Sequence, residues 1–167
     1  MDLYFLRHGK AVEIGPDAPD DFRRALTPDG IKEMQAEAEA LESLGIRPDV
    51  ILTSPLVRAK QTAEIVAKRL GVKKGLIESD LLAPGCQLEQ LRKLLDQHGS
   101  AKQVMLVGHE PDFSSMIGDL IGPEGASMEL KKGGLAVVHI ERTARKGVGT
   151  LLWLVPPKVL IRVAERD

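Results

Sequence analysis

Arginine and histidine stand side by side at the end of the first apolar run of the chain. The run Leu3-Tyr4-Phe5-Leu6 has the composition of a buried strand, and Arg7-His8-Gly9 follows it directly. Parallel sheets carry their binding sites at the carboxyl ends of the strands. A guanidinium is permanently charged and matches phosphate oxygens, an imidazole can attack as a nucleophile, and a glycine lets a ligand approach the backbone. The triplet therefore predicts a site for phosphoryl chemistry.

Two further segments place the same residue types after apolar runs. Thr53-Ser54-Pro55 ends the run that begins at Asp49, and Arg58 lies in the first turn of the helix expected next. Gly108-His109-Glu110-Pro111 follows the run Val104-Met105-Leu106-Val107. Side chains on a helix lean towards its N-terminus, so Arg58 is expected to point back at the strand ends. We expect two arginines, two histidines and helix N-termini to converge on one phosphoryl group.

The elements that must position these residues alternate along the chain. Apolar runs predict strands at 3–6, 49–53 and 104–107, with a lesser strand at 75–78, and the runs 135–140 and 151–155 predict a terminal hairpin. Apolar positions at helical spacing predict four helices between these strands. The pattern indicates the α/β class: a three-layer α/β/α sandwich with a mainly parallel central sheet and an antiparallel C-terminal edge hairpin.

Two helix starts have the same signature. Thr27-Pro28 and Ser54-Pro55 each offer a hydroxyl N-cap followed by a proline at the first helical position. The first helix is expected to end at Gly45 and the second, after Leu70, at Gly71. The third helix is centred on the leucines at 88, 91, 94 and 95, and the fourth runs from Phe113 to Ile121.

Size and charge limit the class of protein. A chain of 167 residues is near the usual size of one domain, so we expect a single domain spanning residues 1–167. The formal net charge of -1 gives no basis for binding nucleic acid or an anionic membrane as the main partner. The single cysteine excludes an internal disulfide, and no stretch has the features of a signal peptide or a membrane span. We expect a cytoplasmic monomer.

The three strand-end segments carry a family resemblance. Leu6-Arg7-His8-Gly9, Leu26-Thr27-Pro28-Asp29-Gly30, the block from Thr53 to Glu64, and Val107-Gly108-His109-Glu110-Pro111-Asp112 together resemble the histidine phosphatase superfamily. Within it, the pattern is similar to that of the compact SixA-type phosphohistidine phosphatases. The resemblance runs from residue 1 to about residue 122, and the block around Arg58 is its most specific part. It implies a phosphoglycerate mutase-like fold.

The resemblance also implies roles for individual residues. His8 is the nucleophile that accepts the phosphoryl group, and Arg7, Arg58 and His109 hold its oxygens. Substrate contacts are expected from four neighbouring positions, Gly9, Ser54, Glu110 and Lys10. No metal and no cofactor are implied, because phosphoryl transfer needs positioning and charge stabilisation above all.

Two departures from the family pattern limit the range of expected substrates. Many relatives that cleave phosphate esters carry a glutamate general acid after the second helix, and our alignment places Pro84 at that position, with Asp80 or Glu110 as possible substitutes. An alkoxide leaving group needs such an acid, whereas a phosphoimidazole can leave as neutral imidazole. In addition, little chain between Leu76 and Val104 is left for a lid over a small substrate.

These departures favour a phosphatase that acts on phosphohistidine in a partner protein, such as a phosphotransfer domain or a phosphocarrier. Two alternatives stay open at this point. One is a broad-specificity phosphomonoesterase for small molecules, and the other is a noncatalytic phosphate-binding adaptor. The loop from Val12 to Arg24, which contains the cations Arg23 and Arg24, has no assigned role.

Overall fold

The structure, a computed structural model, describes residues 1–122, 126–141 and 143–165. Within these ranges, six strands form one mixed sheet in the order β3-β2-β4-β1-β5-β6. Their bounds are β1 Asp2–Arg7, β2 Val50–Thr53, β3 Leu76–Glu78, β4 Gln103–Gly108, β5 Leu135–His139 and β6 Thr150–Val155. The first four strands pair in parallel, β5 pairs antiparallel with β1, and β6 pairs antiparallel with β5. The expected mainly parallel sheet with an antiparallel edge hairpin is confirmed.

In the described part of the chain, five α-helices cover the two faces of this sheet: α1 Pro28–Ser43, α2 Val57–Leu70, α3 Leu88–Gln97, α4 Asp112–Ile121 and α5 Pro157–Ala164. Alternate residues of each central strand enter different cores. Leu3 and Phe5 pack in the core beneath α3 and α4, whereas Tyr4 and Leu6 pack in the core beneath α1, α2 and α5. The near-continuous apolar strands of the sequence reflect this burial on both faces.

The predicted start is confirmed for α1 but not for α2. Thr27 caps α1 as expected, because its Oγ1 accepts a hydrogen bond of 2.9 Å from the Gly30 amide. The predicted start of α2 at Ser54-Pro55 is wrong: the helix begins at Val57, and no side chain caps it. Ser54 instead extends the sheet, where its amide donates to the Val107 carbonyl at 3.0 Å.

Helix α5 was not predicted. It follows the hairpin directly, begins at Pro157 and buries Leu160 in the core beside α1. Within the ranges that the structure describes, no helix is long and apolar enough to cross a membrane. For the active site the main consequence of the fold is that β2, β4 and β1 are neighbours, so their carboxyl ends open at the same edge of the sheet.

Candidate active site

His8 continues the line of β1 by one residue. Its amide donates to the Gly108 carbonyl at 3.1 Å, which keeps the backbone in register with β4, and its side chain is buried. Glycine is required at the next position because α1 passes close by: a Cβ on Gly9 would lie 2.7 Å from Met34 Cγ. Met34 is fully buried in a close-packed core. The close approach of the chain to α1 after His8 therefore depends on the missing side chain of Gly9.

The two ring nitrogens of His8 face groups with only one possible role each. Nδ1 lies 2.8 Å from the Gly9 carbonyl oxygen, which can only accept, so Nδ1 carries the proton. Nε2 accepts from Arg58 Nε at 3.1 Å, since a guanidinium can only donate. The pKa of His8 is lowered to about 3, chiefly by burial. His109, Arg58 and Arg7 act in the same direction, and the Gly9 hydrogen bond opposes them. Nε2 therefore keeps a lone pair at neutral pH.

Arg58 is held on its other side by the loop between β1 and α1. Its Nη1 donates to the Asp21 carbonyl at 2.6 Å and its Nη2 to Asp21 Oδ2 at 3.0 Å. The guanidinium is buried, whereas Asp21 is half-buried and also accepts a 2.9 Å hydrogen bond from Arg24. Burial favours the protonated carboxyl, but the hydrogen bonds from Arg24 and Arg58 hold the pKa of Asp21 below its ordinary value. Asp21 is thus an ionised clamp that fixes the Arg58 fork.

Arg7 is anchored by the loop that precedes β5. Its Nη1 donates to the Leu130 carbonyl at 2.9 Å, while its buried Nε has no partner among the described residues. In the same loop, the Gly133 amide donates to the carbonyls of Arg7 and His8 at 3.1 and 3.2 Å. These contacts fix the backbone of the pair and use only one of the five N–H donors of the Arg7 side chain within the described residues.

His109 follows β4 as His8 follows β1. The two rings are 5.2 Å apart between centroids and tilted by 55°. His109 Nε2 lies 2.7 Å from Ser54 Oγ, and its buried Nδ1 has no partner within the described part of the chain. Burial lowers the pKa of His109 to about 4, with Arg58 and Arg7 acting in the same direction and Asp21 opposing them.

A cleft of about 400 Å³ brings the strand-end residues together. Its lining includes five of the residues proposed from the sequence: Arg7, His8, Arg58, His109 and Glu110. The other three proposed residues do not line it. Gly9 acts through its carbonyl behind His8, Ser54 is fully buried against His109, and Lys10 points to a neighbouring groove, where it pairs with Glu33 at 2.6 Å.

Pro84 lines the same cleft, whereas Asp80 does not. The lining also contains four residues that had no assigned role in the site: Glu13, Asp21, Arg24 and Lys132. Three of them lie in or beside the loop from Val12 to Arg24, which has no hydrophobic period to reveal its path. The charge of this loop was the one signal in the sequence, but charge alone does not tell which arginine lines the cleft. Arg24 does, whereas Arg23 is exposed and pairs with Asp20.

The cleft combines four cations with a neutral imidazole. Arg7, Arg58, Arg24 and Lys132 surround the space in front of His8 and favour a tetrahedral anion there. The Gly9 carbonyl, which accepts from His8 Nδ1, favours the positive charge that an imidazole acquires when its other nitrogen bonds an electrophile. Among the described residues, no three His, Cys, Asp or Glu side chains converge in a way that would hold a metal ion.

Comparison with known proteins places this site in a family. Residues 3–82 match the model of the histidine phosphatase superfamily (branch 1). The chain belongs to the histidine phosphatase superfamily, and its fold is the phosphoglycerate mutase-like fold that the sequence pattern implied.

Individual relatives extend the likeness over the whole chain. The chain is 27% identical to the phosphohistidine phosphatase SixA of Escherichia coli, covering 94% of each protein. It is 37% identical to an uncharacterised protein of Picosynechococcus sp., covering 81% of this chain and 82% of that one. Among solved structures, the protein histidine phosphatase SixA in complex with tungstate superposes with a TM-score of 0.83 at 25% identity, covering 96% and 99% of the two chains.

Proposed function

We propose that the protein is a phosphohistidine phosphatase that acts on histidine-phosphorylated partner proteins and forms a covalent phosphohistidine on His8. One observation carries this proposal: the hydrogen bonds of His8 fix its tautomer. Nδ1 donates its proton to the Gly9 carbonyl, so Nε2, which accepts from Arg58, has the lone pair. The likeness to SixA, a phosphohistidine phosphatase, supports the same reaction. The solved SixA structure of the same fold is a complex with tungstate, an oxyanion, which is consistent with phosphoryl binding by this fold.

The proposed reaction has two steps, transfer of the phosphoryl group to His8 and hydrolysis of the resulting phosphohistidine. His8 Nε2 attacks phosphorus, and the bond between phosphorus and the substrate nitrogen breaks, with its electron pair going to the leaving imidazole. Water then attacks the phosphorus on His8, the P–N bond to Nε2 breaks, and phosphate departs with the protons of that water. Arg7, Arg58 and His109 hold the phosphoryl oxygens during both steps.

The preference for nitrogen over oxygen rests on the acids around the cleft. Pro84 lines it at the position where ester-cleaving relatives are expected to carry a glutamate. Asp21 also lines it, but its hydrogen bonds to Arg24 and Arg58 keep it ionised, so it is poorly suited to protonate an alkoxide. A phosphoimidazole protonated on its far nitrogen needs no such acid.

A second candidate, a small-molecule phosphomonoesterase, is favoured by Glu110. This carboxyl lines the cleft, although its Oε1 accepts a hydrogen bond of 3.2 Å from the Ser114 amide. Rates on phosphohistidine and on an aryl phosphate separate the two candidates. We expect a kcat/KM for phosphohistidine at least about 100-fold higher than for the ester, since a missing general acid costs that much. A preference for the ester would overturn the proposal in favour of the esterase.

Rapid mixing with a labelled phosphodonor tests the covalent step itself. The wild-type protein is expected to carry acid-labile, alkali-stable label on His8, and the His8→Asn variant none. His98 provides an internal control, because it caps the C-terminus of α3 outside the cleft and is expected to stay unlabelled. Phosphate binding without any label would instead support a noncatalytic adaptor.

A further inference from the structure

A second concave surface adjoins the cleft and is lined almost entirely by cations and prolines. This lysine groove measures about 520 Å³ and is formed by Arg7, Lys10, Lys131, Lys132, Pro156, Pro157 and Lys158. Arg7 and Lys132 belong to both surfaces, so the groove continues directly from the phosphoryl-binding cleft. Lys132 lines both surfaces, whereas Lys10, Lys131 and Lys158 lie outside the cleft and have no role in the chemistry proposed above.

The positive charge of the groove is local and largely uncompensated. The whole chain has a net charge of -1, yet five cations meet here. Lys10 pairs with Glu33 and Lys131 with Glu129, but these pairs are more than half exposed on the lysine side and therefore weak. Within the residues that the structure describes, Lys132 and Lys158 have no carboxylate in ion-pair distance. The groove therefore attracts negative charge from outside the protein.

The form of the groove indicates a protein surface as its occupant. Its walls are formed mainly by apolar surface, from the stems of its four exposed lysines and from two prolines, which suits a protein surface with dispersed carboxylates better than one small anion. Pro156 and Pro157 add a rigid apolar floor at the start of α5. Among the described residues, no aromatic side chain lines the groove, although stacking on aromatic rings is the usual means of holding single-stranded nucleic acid.

We propose that the lysine groove docks an acidic patch of the partner protein, beside the phosphohistidine that enters the cleft. This inference rests on the function proposed above and adds to it a requirement on the substrate: carboxylates must flank the phosphorylated histidine. Charge complementarity of this kind raises the rate of encounter and selects the partner. Arg7, shared by both surfaces, couples docking of the patch to capture of the phosphoryl group.

Three synthetic peptides test this requirement. Each carries one phosphohistidine, flanked by acidic, neutral or basic residues, and free phosphohistidine serves as the fourth substrate. We expect kcat/KM at low salt to be about tenfold higher for the acidic than for the neutral peptide, and the advantage to shrink at high salt. The double variant Lys131→Glu/Lys158→Glu is expected to lose this advantage while hydrolysing free phosphohistidine at the wild-type rate.

The matched control is Lys74→Glu/Lys102→Glu, which changes the net charge equally. Both lysines are exposed and precede β3 and β4, at the opposite end of the sheet from the cleft. This variant is expected to keep the preference for the acidic peptide. Equal losses in the two double variants, or equal rates on all three peptides, would overturn the docking role.

Two further outcomes bear on the identity of the occupant. An oligonucleotide that inhibits more strongly than an unphosphorylated acidic peptide would overturn the assignment to a protein patch. If neither free phosphohistidine nor any of the three peptides is hydrolysed, the proposed function fails and the docking role falls with it. Hydrolysis of free phosphohistidine together with indifference to the flanking charge overturns only the docking role.

Discussion

The ends of β1 and β4 are alike in position and different in hydrogen bonding. The strands pair in parallel with Arg7 opposite Gly108, so His8 and His109 follow at equivalent places. Both rings are buried, and burial lowers the pKa of both below the ordinary value of histidine. At the end of β1, however, each ring nitrogen meets a group with a single hydrogen-bonding role, whereas His109 meets the hydroxyl of Ser54, which can donate or accept.

This difference separates an imidazole with a fixed tautomer from one whose tautomer can change. The tautomer of His8 is determined by the Gly9 carbonyl and by Arg58, so its Nε2 lone pair is present before any substrate arrives. The Ser54 hydroxyl allows either tautomer of His109, and its Nδ1 has no partner among the described residues. His109 is thus able to place a proton towards a phosphoryl oxygen without a change in backbone position.

Removing the donor that faces His8 has the largest expected effect on this comparison. Arg58→Ala deletes the contact to Nε2 and a charge that faces the phosphoryl oxygens. We expect kcat/KM for phosphohistidine to fall by about 10²- to 10³-fold, as for the loss of a preorganised donor to a developing charge. Steady-state kinetics measure this loss, and label on His8 in a rapid-mixing experiment shows whether the attack or the hydrolysis step is slowed.

Arg69→Ala is the matched control for that variant. Arg69 lies in the same helix, α2, but is exposed and pairs with Glu42 at 2.7 Å and Glu39 at 3.3 Å. Its removal is expected to leave kcat/KM unchanged and to alter stability only slightly. A comparable loss of activity in both variants would mean that α2 tolerates neither change and that Arg58 has no special role.

The convergence of these groups was predictable because it follows from topology. Parallel strands that alternate with helices must present their carboxyl ends at the same edge, so residues directly after β1, β2 and β4 meet. The positions of His8, Arg58 and His109 needed no knowledge of side-chain packing. Glu110 reached the cleft for the same reason.

What the sequence did not reveal depends on contacts between distant residues. Asp21 reaches Arg58 across 37 positions of sequence from a loop without regular structure, and no local pattern encodes that pairing. Ser54 is a residue type that often caps helices, but its amide is hydrogen-bonded in the sheet and its hydroxyl is hydrogen-bonded to His109. Helix α5 is only eight residues long, too short to be stable by itself, and it packs against α1, a contact between distant parts of the chain.

The hydroxyl behind His109 offers a smaller test of the comparison. Ser54→Ala leaves His109 Nε2 without its 2.7 Å partner but does not alter His8. We expect kcat to fall by about tenfold, the size expected for one lost hydrogen bond. In a His109→Ala background the same substitution is expected to have no further effect, because the two residues act as one unit. Additive losses in this double-mutant cycle would show that Ser54 acts on something other than His109.

As Ser54 contacts His109, a buried acid of α1, Glu37, lies behind the backbone of His8. Its carboxyl packs against Gly133, whose amide holds the carbonyls of Arg7 and His8. Burial raises the pKa of Glu37 to about 9, with Glu33 adding to the rise and Lys10 opposing it. The folded protein therefore holds a proton at neutral pH that the unfolded chain, with an ordinary glutamate, releases.

This proton gives stability a pH dependence opposite to that of the histidines. Between the ordinary pKa of 4.5 and about 9, the folded state binds more protons at Glu37, so the free energy of unfolding falls as pH rises. His8 and His109, with pKa values lowered to about 3 and 4, instead make stability rise with pH up to about 6.5. From pH 7 upwards the contribution of Glu37 is therefore separated from theirs.

Replacing Glu37 by its uncharged isostere tests this separation with the smallest expected change. Urea unfolding between pH 7 and pH 9 is expected to show wild-type stability falling by up to about 1.4 kcal/mol per pH unit, and Glu37→Gln is expected to lack most of that slope. Glu39→Gln, on the same helix but exposed and paired with Arg69, serves as the control and is expected to retain it. Equal slopes in all three proteins would mean that Glu37 is ionised in the folded state and that the backbone of His8 is supported without a buried proton.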